Sequence, residues 1–214
     1  MLTPTSSAAT FAHWQPRYAE HGIPTFPVRN KKPLVKRFLE TSPAASKAYA
    51  SKFPTAEAFG FPYGPKSEIT VLDIDSKNPR HVDEAASIFG RSPVLWRTGS
   101  GNFAMPFRHN GEGRQIRPIE GLPVDVLGGG FAVAPPSKSA KGLYEFIEGG
   151  LPDLGRLPVL QLPANLRPAN ENRIPKGWRD DWLFKRLLRE FATAMISRPC
   201  LTLPAPSMSN VCRQ

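Results

Sequence analysis

Short apolar runs, most of them bounded by proline or glycine, fill the middle of this sequence. Runs of this length that are rich in β-branched and aromatic residues predict strands. The clearest covers residues 69–75, where Ile-Thr-Val-Leu leads into two aspartates. The predicted strands lie at 23–28, 69–75, 93–98, 103–107, 122–127, 131–134 and 144–147.

Helical periodicity is confined to fewer segments. Phe11, Trp14 and Tyr18 form a stripe at spacings of three and four, and residues 80–89 carry a similar apolar face that ends at Gly90. A helix is also predicted near 44–50, followed by a helical turn at 56–59, and residues 180–196 predict a C-terminal amphipathic helix.

The order of these elements indicates the fold class. Residues 93–147 place several strands in succession without a helix between them, whereas a doubly wound parallel sheet needs one at each crossover. We therefore predict an α+β fold with a mixed or antiparallel sheet and flanking helices. The predicted domain covers residues 10–150, followed by a linker and helix at 151–196 and a disordered tail at 197–214.

Composition narrows the function classes. The formal net charge of +10 favours a polyanionic partner such as nucleic acid, although solubility alone would also account for it. The two cysteines, Cys200 and Cys212, form neither a zinc motif nor a disulfide framework. No apolar stretch is long enough to span a membrane or to act as a signal peptide. We therefore expect a cytoplasmic protein.

Two carboxylates at the end of the clearest strand are the first candidates for chemistry. Side chains alternate along a strand, so Asp73 and Asp75 point to one face while Leu72 and Ile74 point to the other. A pair of hard oxygen donors suits Mg²⁺ or Mn²⁺, but an Asp-x-Asp at a strand end is also common in turns. Asp125 lies between two valines in another strand, where a lone carboxylate would be costly unless it joined a shared cation.

A glycine-rich loop follows the strand at 93–98. Such a loop allows backbone N–H groups to approach phosphate oxygens, although Gly-Ser-Gly is more often a plain hairpin turn. Ser100, Gly101 and Asn102 in this loop are the candidate nucleotide-binding residues.

Three blocks in this order carry a family resemblance. They are Leu72-Asp73-Ile74-Asp75, Arg97-Thr98-Gly99-Ser100-Gly101-Asn102, and residues 124–131 with Ala134-Pro135-Pro136-Ser137. From about Trp14 to Phe146 the chain resembles the N-terminal primase–polymerase domain of the archaeo-eukaryotic primase superfamily, which occurs in replication proteins of phages, plasmids and integrated elements.

The resemblance implies an RRM-like catalytic core and specific roles for these residues. Asp73, Asp75 and Asp125 would be the catalytic and metal-binding carboxylates, with Mg²⁺ or Mn²⁺ as the cofactor. Ser100 and Gly101 would contact the phosphates of an incoming (d)NTP, and DNA would be the template and primer. A separate replicative helicase is a further possible partner, and no membrane is implied.

One position departs from the family pattern. The second motif ends in a histidine three residues after the glycine, where this chain has Ala104. His109 would reach back to this position only if the strand breaks near Pro106. Arg97 and Arg108 are therefore further candidates for nucleotide binding, and either would supply the lost positive charge. Two further hypotheses stay open, namely a catalytically degenerate module that binds DNA or nucleotide and an unrelated metal-dependent phosphodiester hydrolase.

Overall fold

The computed structural model describes residues 11–166. The described part contains three α-helices and several short 3₁₀ segments, at 38–40, 151–156 and 164–166. The α-helices are α1 (Phe11–Glu20), α2 (Pro43–Lys52) and α3 (Arg80–Phe89). Within residues 11–166, none of the helices has the length and apolar character needed to cross a membrane.

The strands form two main antiparallel sheets and a separate hairpin. One sheet has the order β2-β1-β3-β9, the other has the order β12-β5-β6-β4-β8-β7, and β10 pairs with β11. The strands are β1 (Phe26–Arg29), β2 (Lys32–Pro33), β3 (Ala58–Tyr63), β4 (Ile69–Ile74), β5 (Leu95–Arg97), β6 (Phe103–Arg108), β7 (Arg114–Gln115), β8 (Val124–Leu127), β9 (Gly130–Val133), β10 (Lys138–Ser139), β11 (Gly142–Leu143) and β12 (Glu145–Glu148). Helices beside antiparallel sheets confirm the predicted α+β class.

The six-stranded sheet is covered differently on its two faces. Val82, Ala85 and Phe89 of α3 pack with Leu72 and Ile74 of β4 on one face. The other face packs against α1 and β3, so that the two main sheets share a core; its central members are Phe11, Phe61, Val71 and Trp96. Strand β4, which carries Asp73 and is followed by Asp75, is therefore central to its sheet and covered on both sides along most of its length.

The prediction for residues 56–63 was wrong. A helical turn was expected at 56–59, but Ala58–Tyr63 is a strand that pairs with β1 and with β9. Gly60 makes this close approach possible, because a Cβ atom there would lie 2.6 Å from the carbonyl oxygen of Ala132. The burial of Phe59 and Phe61 against both neighbours outweighs the local turn propensity.

The core continues beyond residue 150, where the sequence predicted the domain to end. Leu151, Leu154 and Leu157 pack into the core between the two sheets, and Leu160 packs on the α3 side. The predicted C-terminal helix, the predicted tail and both cysteines lie outside the described residues.

Candidate functional site

The three candidate carboxylates lie together on adjacent strands. Asp73 of β4 is directly paired with Asp125 of β8, so both side chains project from the same face of the sheet. Asp75 follows two residues after Asp73, just beyond the end of β4, and its backbone N–H donates to Pro123. The flanking residues Val124 and Val126 are fully buried on the opposite face, which fixes the orientation of Asp125.

Arg117 lies between two of these carboxylates. Its Nη2 is 2.9 Å from Asp75 Oδ2, and its Nε is 3.7 Å from Asp125 Oδ1. Its backbone N–H donates to the same Asp125 oxygen at 3.0 Å. Asn102 donates from Nδ2 to the other oxygen of Asp75 at 2.5 Å, so both oxygens of that carboxylate have hydrogen-bond partners.

The surroundings of Asp73 disfavour the charged form of its carboxyl. Burial raises the pKa of its carboxyl above the usual value, and the charges of Asp75 and Asp125 raise it further. Lys31 and Arg117 act in the opposite direction without cancelling the increase. The ionised form of Asp73 is therefore destabilised by the fold in the absence of another cation.

This raised pKa predicts a pH-dependent loss of stability. The folded protein binds the Asp73 proton more tightly than the unfolded chain, so its stabilising contribution is complete below the ordinary aspartate pKa of 3.8 and is lost as the pH rises through the raised value. Without divalent cations, the unfolding free energy of the wild type should fall relative to that of Asp73→Asn across this pH window. Urea unfolding at a series of pH values measures the difference, and parallel curves would contradict it.

The glycine-rich loop lies beside Asp75, at the end of the sheet where the carboxylates are. Gly99 is pressed against the β10–β11 hairpin, because a Cβ atom would come within 2.5 Å of Ser139 Oγ. Gly101 has a positive φ of 87°, donates its N–H to Thr98, and lies under the side chain of Lys77. Ser100 shares a hydrogen bond of 3.1 Å with Thr98 through their hydroxyl groups. Glycine is therefore required in this loop by both conformation and space.

The two arginines suggested as replacements for the family's histidine lie elsewhere. Arg97 neighbours Trp96, whose side chain packs in the core between the sheets, so strand alternation directs Arg97 to the opposite face from the carboxylates. There Arg97 pairs with Glu145 at 3.0 Å. Arg108 is paired with Ile69 and lies four residues along β6 from Ala104, which corresponds to roughly 13 Å of strand.

Ala104 itself is buried beside the carboxylates. It is paired with Asp73 on one side and with Trp96 on the other. The strand that carries it continues past Pro106 without a break, so His109 stays at the far end. The imidazole of His109 lies 2.8 Å from the Thr70 hydroxyl and 3.2 Å from Glu112.

Glu112 explains why His109 is held at that end of the sheet. Burial alone would raise the pKa of the Glu112 carboxyl, but hydrogen bonds from His109, from backbone N–H groups and from Thr70 together hold this pKa below its usual range. The His109–Glu112–Thr70 group anchors the loop after β6 and is separate from the carboxylates.

Several residues near the carboxylates were not assigned a role by the sequence. Burial raises the pKa of the Tyr63 hydroxyl to about 12 and also raises the pKa of the Tyr144 hydroxyl, and the Asp73 charge adds to both increases. Lys31, in the β1–β2 turn, is close enough for its charge to lower the pKa of Asp73. Arg117 comes from the polar segment before β8. Its place depends on long-range register, for which the sequence carries no local signal.

Carboxylate oxygens are the donors that hard divalent cations prefer, so the three aspartates are the residues here that could hold a metal. In the arrangement described for residues 11–166, no three His, Cys, Asp or Glu side chains converge into a complete cation site. Arg117 occupies the space between Asp75 and Asp125 instead.

The fold and site define an α+β protein that gathers carboxylates and a glycine-rich loop at one end of an antiparallel sheet. A family model described as the N-terminal domain of bifunctional DNA primase/polymerase matches residues 15–165. The chain belongs to this family, which confirms the resemblance seen in the sequence. It is a replication protein of the primase/polymerase type, for which DNA and nucleotides are the implied substrates. No match was found among curated proteins.

Proposed function

We propose that this protein transfers a nucleotide from a (d)NTP to a 3′-hydroxyl on a nucleic-acid template, in a reaction that depends on a divalent metal ion. The observation that carries the proposal is the direct pairing of Asp73 with Asp125, with Asp75 on the same side at the end of the strand. Three carboxylates at adjacent positions repel one another, and a bound cation would relieve that repulsion.

The chemistry of this donor set fits Mg²⁺ or Mn²⁺. All three candidate ligands are hard oxygen donors, and Asp75 and Asp125 are only partly buried, with 57% and 21% of their side chains exposed. Bound there, either ion would neutralise the triphosphate and lower the pKa of the attacking hydroxyl.

The remaining residues would bind and orient the nucleotide. In the reaction the 3′-hydroxyl would give up its proton to solvent and its oxygen would form a bond to the α-phosphorus. The bond from that phosphorus to the bridging oxygen of the β-phosphate would break, so that pyrophosphate leaves with the electron pair. Lys31 and Lys77 place positive charge near Asp73 and over the glycine-rich loop respectively. Both would attract the triphosphate and help to hold it for attack.

A second candidate function is a module that binds nucleic acid or nucleotide without catalysis. Ala104 favours it, because a small buried side chain stands where the family's motif implies a phosphate-binding histidine. Neither Arg97 nor Arg108 lies where it would replace that histidine. The first candidate forms a new phosphodiester bond from the bound nucleotide, whereas the second binds without forming one.

Primer extension on a templated oligonucleotide separates these candidates. We expect incorporation of complementary nucleotides with Mg²⁺ or Mn²⁺ that disappears when Asp73 and Asp75 are both replaced by alanine. Nucleotide binding with no incorporation above that double variant under either metal would favour the non-catalytic module. Cleavage of the oligonucleotide without added nucleotide would instead indicate a phosphodiester hydrolase.

A further inference from the structure

Arg117 makes three contacts with two of the carboxylates. Its guanidinium reaches Asp75 at 2.9 Å and Asp125 at 3.7 Å, and its backbone N–H adds a third contact to Asp125. Its φ is 48°, in the left-handed region that non-glycine residues rarely adopt. The loop therefore holds a single arginine in an uncommon backbone conformation across two carboxylates.

The Arg117 guanidinium lies where a divalent cation shared by Asp75 and Asp125 would bind. A guanidinium and a metal ion would use the same oxygen lone pairs of Asp75 and Asp125, and Asn102 already uses the other oxygen of Asp75. The Arg117 side chain is 47% exposed, so it has room to leave towards solvent. The charges of Asp73, Asp75 and Asp125 would remain partly neutralised whichever of the two cations were present.

We propose that Arg117 is an exchangeable counter-cation that competes with the divalent metal for Asp75 and Asp125 and so sets the metal affinity of the site. This inference rests on the proposed function, because it assumes that these carboxylates bind a metal. Arg117 stabilises the metal-free protein and must release both carboxylates when the metal binds. Removing Arg117 should therefore raise the metal affinity, whereas removing a residue that supports a metal site lowers it.

Two measurements on the whole chain test the proposal: Mn²⁺ affinity by electron paramagnetic resonance of the free ion, and the thermal midpoint with and without Mn²⁺. In Arg117→Gln we expect Mn²⁺ to bind roughly 2- to 5-fold more tightly, given the strength of partly exposed ion pairs. Without metal its midpoint should fall below that of the wild type, and at saturating Mn²⁺ this difference should close. Arg117→Lys, which keeps the charge but loses the fork, should lie between the two.

Two matched controls separate competition from a general effect of charge. Lys31→Gln removes a nearby cation that acts on Asp73 and should tighten Mn²⁺ binding much less. Arg91→Gln breaks a surface ion pair of 3.1 Å with Glu148 and should leave Mn²⁺ affinity unchanged. An equal effect of Lys31→Gln and Arg117→Gln would overturn the proposal.

The outcomes also separate this inference from the proposed function. If the wild type binds Mn²⁺ and Arg117→Gln binds no more tightly, or its stability deficit persists at saturating Mn²⁺, the inference alone is overturned. If only Arg117→Gln binds, Arg117 excludes the metal, which supports the inference and contradicts metal-dependent activity of the wild type. If neither protein binds Mn²⁺, both proposals are overturned.

Discussion

Replacing Asp125 with asparagine should lower template-dependent nucleotide incorporation by about 10²–10³-fold, the usual cost of losing one electrostatic contact to the reacting groups. Asparagine keeps the size of the side chain, and the valines on both sides would hold it in the same orientation. The substitution removes one of three negative charges that together would bind the cation. Asp75→Asn should have a comparable effect. Steady-state primer extension with Mg²⁺ and with Mn²⁺ measures both.

Stability measurements show whether such a loss reflects the site or a damaged fold. Because like charges are removed, Asp73→Asn should be at least as stable as the wild type without metal, and it should gain less stability from added Mn²⁺. Asp83→Asn is the matched control, since that exposed carboxylate on α3 has only a 4.0 Å ion pair with Arg91. Loss of activity in Asp83→Asn, or retention of activity in Asp125→Asn, would contradict the assignment.

Local sequence patterns predicted the elements that carry the carboxylates. The helix at 80–89 has the bounds that its apolar face indicated, and Gly90 ends it as expected. Ile69–Ile74 is a strand because β-branched and aliphatic residues alternate between two covered faces. The sequence predicted that Asp73 and Asp125 would share a cation, but not that the two residues are directly paired. The strand register that pairs them depends on contacts between residues far apart in sequence.

The residues that the sequence missed have their positions set by long-range contacts. Arg117 is one of many polar residues in its segment, and only the packing of that segment beside β8 brings it to Asp125. The strand at 58–63 was missed for a related reason, since Pro62 and Gly60 suggest a turn when their partners in β1 and β9 are unknown. Arg97 was placed near the phosphates by its motif, but strand alternation directs it to the opposite face.

Replacing Ala104 with histidine tests whether the site lacks a phosphate donor. The residue is directly paired with Asp73 and lies on the same sheet face, so an imidazole there would begin beside the carboxylates. If a missing phosphate donor limits catalysis, Ala104→His should raise the efficiency of incorporation by about 10- to 100-fold, which matches the ~1.5–3 kcal/mol of a hydrogen bond to a charged group. Single-nucleotide incorporation at varied (d)NTP concentration measures this gain.

The same substitution carries a structural cost that the control must match. Ala104 is only 3% exposed and is paired with the large side chain of Trp96, so a bulkier residue should destabilise the fold by about 1–3 kcal/mol. Ala104→Leu has similar bulk without a hydrogen-bond donor, and it should lose stability without gaining activity. If Ala104→His is no more active than Ala104→Leu, a missing imidazole is not what limits incorporation, and Lys31 and Lys77 become the next residues to replace. A gain confined to the histidine variant would instead mean that the carboxylates already support catalysis and that the site lacks chiefly its phosphate donor.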